Sequence, residues 1–263
     1  MSTALLKLER VEKRFGGICA IARVSFELAE RQIFGLIGPN GAGKTTLFNC
    51  ITGHYTPDAG DVRFRGRSLV GKKPHQIALA GIARTFQNVR LFAEMSVIDN
   101  VLVSAHHRAR AGMLGAVLRS AAYAREERAL FTRAKELLEL FELAALEREP
   151  AASLPYGSQR RLEIARALML EPKLLLLDEP AAGLNSHEAD KLTEQIKWLR
   201  DRFGLSVLLV EHNMRVVMGA SEYVHCLDHG ETIAAGTPAY VREHPAVLEA
   251  YLGQETAAAE RAP

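Results

Sequence analysis

The sequence has little cysteine: three residues in 263, at positions 19, 50 and 226, with no C-x-x-C pair. An odd number at wide spacing argues against a disulfide framework or a thiolate zinc site and suits a reducing compartment. An excess of one charge sign is also missing. Lys and Arg total 33 against 31 Asp and Glu, a formal net charge of +2, too mild to imply nucleic acid by charge alone. Long apolar runs are lacking as well. Stretches such as Leu174–Leu177 fall far short of the roughly 18 residues that cross a bilayer, and MSTALLKLERVEKRF at the start has no signal-peptide core. We expect a soluble, cytoplasmic chain that reaches a membrane only through a partner. What is present is ordinary globular composition, 48% hydrophobic and 24% charged, which excludes a disordered or fibrous chain.

Leu6–Val11 and Arg23–Leu28 read as short strands, Gln32–Ile37 as a buried strand, Thr45–Thr52 as a helix and Asp58–Arg67 as hairpin-like. From Ser96 to Arg148 there is no proline and helix formers dominate. Leu130, Ala134, Leu137 and Phe141 recur at helical spacing, and the Arg and Glu residues between them read as a solvated face. Ser158–Leu170 then reads as a helix, Lys173–Asp178 as a buried strand, Glu188–Phe203 as a helix and Ser206–Glu211 as a strand. Val224–Leu227 and Glu231–Ala235 read as strands joined at His229–Gly230. The alternation predicts a parallel sheet covered on both faces.

The strongest motif is Gly38-Pro-Asn-Gly-Ala-Gly-Lys-Thr-Thr46, which contains G-x-x-x-x-G-K-T directly after a strand and at the start of a helix. Glycines at 38, 41 and 43 let successive N–H groups converge on one anion, and the helix adds its positive end. Lys44 places charge on the β- and γ-phosphates, and Thr45 offers a hydroxyl to Mg²⁺. Asp178-Glu179 ends an apolar strand, which puts both acids beside the ligand crevice of such a sheet. Asp178 suits Mg²⁺ and Glu179 suits a general base; by themselves the two acids would equally cap the next helix.

In this order the segments resemble one family, the ATP-binding-cassette (ABC) ATPases, over about Leu6 to Leu252. Arg84-Thr-Phe-Gln87 resembles the glutamine loop, and Leu154-Pro-Tyr-Gly-Ser158 with the following helix the signature motif. Ala181-Ala-Gly-Leu-Asn185 resembles the D-loop, His212 the switch histidine, and Phe15 the aromatic that stacks on adenine. Alone, Gln87 would read as a surface amide, His212 as a structural residue and Phe15 as core.

The resemblance implies an α/β P-loop cassette with a RecA-like parallel-sheet core, an N-terminal antiparallel β subdomain and an inserted helical subdomain at about 96–157. One domain would span 1–253, with a flexible tail at 254–263. It implies ATP and Mg²⁺ as ligands. Gly38, Pro39, Asn40, Gly41, Ala42, Gly43, Lys44, Thr45 and Thr46 would hold the phosphates, and Thr45, Gln87 and Asp178 would face the metal. Glu179 would act on the attacking water, with His212, Lys44 and Gln87 at the γ-phosphate. Pro155, Tyr156, Gly157 and Ser158 would close over the ATP of a partner chain. Two motifs depart from the family pattern, the signature Leu-Ser-Gly-Gly-Gln and the D-loop. Pro155, Tyr156 and Ser158 replace serine, glycine and glutamine, and Asn185 replaces aspartate.

The flanking residues, among them Asn88-Val-Arg-Leu-Phe92 and Gln159-Arg-Arg161, resemble the high-affinity branched-chain amino-acid importers of bacteria, and within them the longer ATP-binding subunit. That implies a paralogous ATP-binding partner (or a homodimer in isolation), two permease subunits, a periplasmic solute-binding protein acting indirectly, no nucleic acid, and a peripheral place on the cytoplasmic side of the inner membrane. Val89, Leu91, Phe92, Glu94 and Met95 are the residues we expect at a permease helix, with Leu91 and Phe92 equally readable as core. Two other classes compete: a soluble cassette ATPase on DNA or ribosomes, for which the second cassette and heptads are lacking, and a hydrolysis-poor regulatory subunit, which Pro155 and Asn185 would favour. Import of urea, amides or small organic acids would use the same cassette.

Overall fold

A computed structural model describes residues 4–85, 89–105 and 121–251. The chain divides into two compact units, one of residues 1–82 with 173–263 and the other of residues 83–172.

The first unit holds two sheets. Strands β1 (Leu6–Phe15), β2 (Ile18–Leu28), β4 (Ala59–Phe64) and β5 (Arg67–Ser68) form one sheet, in the order β2-β1-β4-β5. Its pairs are antiparallel. The first two strands run further toward each other than the apolar pattern suggests, meeting at Phe15 and Ile18. The extension is hidden in charged residues that satisfy one another: Lys13 pairs with Asp58 at 3.0 Å and Arg23 with Glu12 at 2.9 Å. The segment expected as a hairpin does make one, β4 with β5, but most of β4 pairs with β1.

The second sheet contains β3 (Ile33–Ile37), β7 (Leu174–Asp178), β8 (Ser206–Val210), β9 (Tyr223–Asp228) and β10 (Glu231–Gly236), in the order β10-β9-β3-β8-β7. β6 (Ile82–Arg84) continues it beyond β7, and its first residue closes the first unit. β9, β3, β8 and β7 run parallel, while β10 turns back antiparallel to β9. All residues of β3, β7 and β8 are buried, as a parallel sheet covered on both faces requires. Each leucine fully removed from water there contributes roughly 1.5–3 kcal/mol.

Helices α1 (Lys44–Ile51), α2 (Pro74–Ala80), α6 (Ser186–Phe203), α7 (Met214–Ala220) and α8 (Pro238–Glu243) belong to this unit. α6 starts two residues before the expected Glu188 because Asn185 caps it. The Asn185 side chain accepts from the Glu188 N–H at 3.0 Å, and the Glu188 carboxylate accepts from the Asn185 N–H at 2.9 Å. This reciprocal box fixes a helix start.

The second unit contains α3 (Val97–Val103), α4 (Ala121–Leu140) and α5 (Tyr156–Leu168). Ala134, Leu137 and Phe141 are buried, whereas Arg128, Lys135, Glu136 and Glu139 are exposed, so the solvated-face reading holds. Asn100, fully buried, ties down the turn before α3. It accepts from the Phe92 N–H at 2.9 Å and donates to the carbonyls of Phe92 and Ser96, each at 3.0 Å. α5 starts at Tyr156 rather than Ser158, because Pro155 takes the N-cap place with φ −55° and ψ 148°. Proline suits a helix start, where its missing N–H costs nothing. Gly157 therefore lies inside the helix rather than before it.

Candidate nucleotide site

The parallel strands β3, β8 and β7 end on one edge of their sheet, where ligands of such folds gather. The loop 38–43 follows β3, Asp178 ends β7 with Glu179 next, and Glu211-His212 follows β8. Sequence-distant chemistry is thereby brought to one edge.

The loop has the shape its glycines allow. Gly38 has φ 149° and Gly43 φ 99°. A Cβ on Gly38 would lie 2.2 Å from the Leu227 carbonyl oxygen, and one on Gly43 would lie 2.5 Å from that of Ala20. Neither position admits a side chain. The Gly230 N–H donates to the Ala42 carbonyl at 3.0 Å, and the Ala22 N–H to the Gly230 carbonyl at 2.9 Å. The His229–Gly230 turn thus braces the loop from behind. The first N–H groups of α1 have no intrahelical acceptor and supply anion donors.

Lys44 is buried, and its ammonium donates to the carbonyls of Gly38 at 2.6 Å and Pro39 at 2.9 Å. Burial lowers its pKa, while the charges of Glu179, Cys226 and Asp178 oppose that shift. The lysine, Asp178 and Glu179 are electrostatically one group. Thr45 is exposed at the helix start, and Asp178 is almost wholly buried. A hydroxyl and a carboxylate are hard oxygen donors, the set that suits Mg²⁺ rather than a soft metal. Gln87 lies outside the described residues.

Glu179 sits in the left-handed region with φ 46°, a strained conformation for a residue with a side chain and typical of a functional turn. The His212 Nδ1 lies 3.8 Å from its Oε2. The expected base and switch histidine are therefore neighbours. Phe15, 43% exposed, packs edge-on against Tyr55 with ring centres 5.2 Å apart. Its exposure overturns the core reading; the Lys13 ammonium lies over the ring, 5.5 Å from its centre.

Glu211 is the residue the sequence reading missed. It is fully buried, and its Oε1 accepts from the Ala181 N–H at 2.5 Å. Its Oε2 accepts from the N–H groups of His212 at 3.0 Å and Asn213 at 3.1 Å. Burial raises its pKa, and the three N–H donors pull it back. One carboxylate so ties the turn after Glu179 to the backbone of His212. The available signal was an acid closing the apolar strand SVLLV, since buried carboxylates occur only with partners.

In the second unit, Pro155, Tyr156 and Gly157 are exposed at the start of α5. Ser158 is buried, and its hydroxyl accepts from Arg161 at 3.2 Å. Of the four signature residues, three face solvent and the fourth is used within its own helix. The Arg160 guanidinium lies over the Tyr156 ring and donates to its hydroxyl at 3.0 Å.

A parallel sheet with this loop at its edge defines a P-loop nucleotide-binding cassette. Residues 21–182 match the family model described as ABC transporter, and residues 231–257 match one described as branched-chain amino acid ATP-binding cassette transporter. The chain is 46% identical, over 97% of its length and 100% of the relative, to the high-affinity branched-chain amino acid transport ATP-binding protein LivG of Salmonella typhimurium. It is 44% identical, with the same coverage, to the corresponding protein BraF of Pseudomonas aeruginosa. The crystal structure of the ADP conformation of MJ1267, an ATP-binding cassette of an ABC transporter, superposes with a TM-score of 0.83 at 31% identity, covering 96% of this chain and all of the other. The chain belongs to the ABC transporter family, and its activity is that of an ATPase.

Proposed function

We propose that this chain is the ATP-hydrolysing subunit of an importer for branched-chain amino acids or closely related small solutes. The likeness to LivG and BraF along the whole chain, including its C-terminal match, supports the solute class. The observation that carries the chemistry is the grouping of Lys44, Asp178, Glu179 and His212 at one sheet edge. The reaction is ATP + H₂O → ADP + phosphate. Glu179 orients the attacking water and accepts its proton, Lys44 stabilises charge on the transferred group, and His212 holds the γ-phosphate side. Thr45 and Asp178 would hold Mg²⁺, which would supply positive charge to the phosphates; Gln87 is a further candidate ligand. Phe15 stacks on the adenine. The exposed start of α5 closes over the ATP of a paralogous partner, so hydrolysis belongs to a dimer.

Among the described residues no helix is long and apolar enough to cross a membrane, and the chain works from the cytoplasmic face through two permease subunits. Of the expected segment, Phe92 and Glu94 are exposed, and Met95 lines a cavity of about 280 Å³ together with Leu102, Leu130, Phe131, Asp99 and Glu126. An apolar slot with acids suits a permease helix carrying a basic residue. Exposure of Phe92 removes it from the core.

Hydrolysis by the chain alone, and assembled with its partner ATPase and permeases, tests this reading. Glu179→Gln should keep ATP binding and lower turnover by about 10²-fold or more. Wild-type activity should rise on assembly. Full activity alone, indifferent to permeases, would overturn the coupled role, and binding without turnover in the full assembly would make the chain regulatory.

A further inference from the structure

The N–H of Gly38, the first residue of the phosphate loop, donates to the phenolic oxygen of Tyr251 at 3.0 Å. Tyr251 lies 213 residues away, in the helical residues 245–251 that follow α8. Gly38 itself is buried, with the Leu227 carbonyl pressed against the place of its absent side chain. The same glycine is held from its other side, because its carbonyl accepts from the Lys44 ammonium at 2.6 Å. One glycine therefore links, through its two adjoining peptides, the phosphate-binding lysine to a tyrosine 213 residues away. Burial pushes the Tyr251 phenol up, which keeps it neutral and able to accept.

We propose that Tyr251 is a positioning residue for the nucleotide: its hydroxyl holds the first turn of the phosphate loop in its binding shape, so ATP affinity depends on the docked C-terminal segment. The inference rests on the reading of loop 38–46 as the phosphate site. The reason is geometric. When Lys44 turns from the Gly38 carbonyl to a phosphate, Gly38 loses one of its two tethers, and only the one on the peptide before its Cα remains. Tyr251 is then the tether that keeps it from rotating. Without the hydroxyl, the free loop can relax so that its N–H reaches water. The loop fixed on phosphates cannot, and the cost of an unpaired buried donor falls on binding.

The test is Tyr251→Phe in the full chain, with Mg-ATP as probe. The expected Kd rises about tenfold, equivalent to ~1.4 kcal/mol, while the melting temperature without nucleotide and kcat at saturating ATP stay close to wild type. Tyr240→Phe, an exposed ring on α8, should leave Kd unchanged. An unchanged Kd in Tyr251→Phe overturns the proposal, as does a lowered melting temperature with unchanged Kd, which marks a merely structural contact. Lys44→Ala separates the two readings. If it binds ATP like wild type, the loop is not the phosphate site and the proposal falls with it. If it loses ATP while Tyr251→Phe does not, only the tyrosine's role fails.

Discussion

Two helix starts in this molecule are proposed to offer N–H groups to phosphate, and they are built in opposite ways. At α1 the preceding loop holds three glycines with positive φ, a buried lysine, and backbone braces from Ala22 and Gly230. At α5 the cap is a proline with no side-chain hydrogen bond. Gly157 has no atom within 4 Å of where its Cβ would lie. The first is a closed cradle that can enclose an anion by itself. The second is an open half-site, shaped for something brought to it. The comparison teaches that the motif glycines do different work. Those at 38 and 43 are demanded by the fold of this chain, whereas nothing within it requires a glycine at 157.

The largest expected effect breaks the cradle. Gly38→Ala would force a methyl to 2.2 Å from the Leu227 carbonyl, at a φ of 149°. A clash with backbone cannot be relieved by a rotamer change, so the cost is about 4 kcal/mol or more. The measurable outcome is a large drop in denaturation midpoint together with loss of ATP binding.

The same change at the half-site should behave differently. Gly157→Ala meets open space in an ordinary helical conformation. It should stabilise the isolated chain by roughly 0.5 kcal/mol and leave its ATP affinity intact. Hydrolysis by the assembled dimer should fall sharply, because the methyl sits where a partner's phosphate must approach. A variant that is stable and fully active in the assembly would mean that α5 faces no phosphate.

The contrast also shows which features were legible in the sequence. The cradle was legible almost whole, because phosphate chemistry needs glycines and a lysine at adjacent positions. β3, β7 and β8 were legible because burial on both faces leaves unbroken apolar runs. The reach of β1 and β2 was not, since Lys13 and Arg23 look like solvent-facing charge until Asp58 and Glu12 are placed opposite them. The expected start of α5 at Ser158 fell two residues late because Pro155, which carries no side-chain cap group, serves as its N-cap. Tyr251 was invisible and Glu211 left only a faint mark, an acid closing an apolar run, for one shared reason. Each acts on backbone N–H groups, which carry no sequence signature; Glu211 reaches one 30 residues away and Tyr251 one 213 residues away.

The smallest expected effect sharpens the comparison at the cap itself. Pro155 has the extended backbone of an N-cap but no side-chain acceptor; of the first N–H groups of α5, that of Ser158 already donates to the Pro155 carbonyl at 2.9 Å. In Pro155→Ser a hydroxyl can supply such an acceptor, worth about 1 kcal/mol. The unfolded chain regains the freedom that proline removed, which costs roughly 0.4–1 kcal/mol. The two terms nearly cancel, so the denaturation midpoint should barely move. The hydroxyl can also donate to a partner's γ-phosphate, and a single net hydrogen bond of ~1 kcal/mol would raise turnover in the assembly about fivefold. A hydroxyl has one O–H to donate and two lone pairs to accept, so the two effects are independent and are read by two separate measurements. Faster turnover at constant stability would show that the half-site is limited by a missing phosphate donor. A higher midpoint at constant turnover would show that it is limited only by a loose helix start, and would leave Tyr156 and Gly157 as the residues that define its contact.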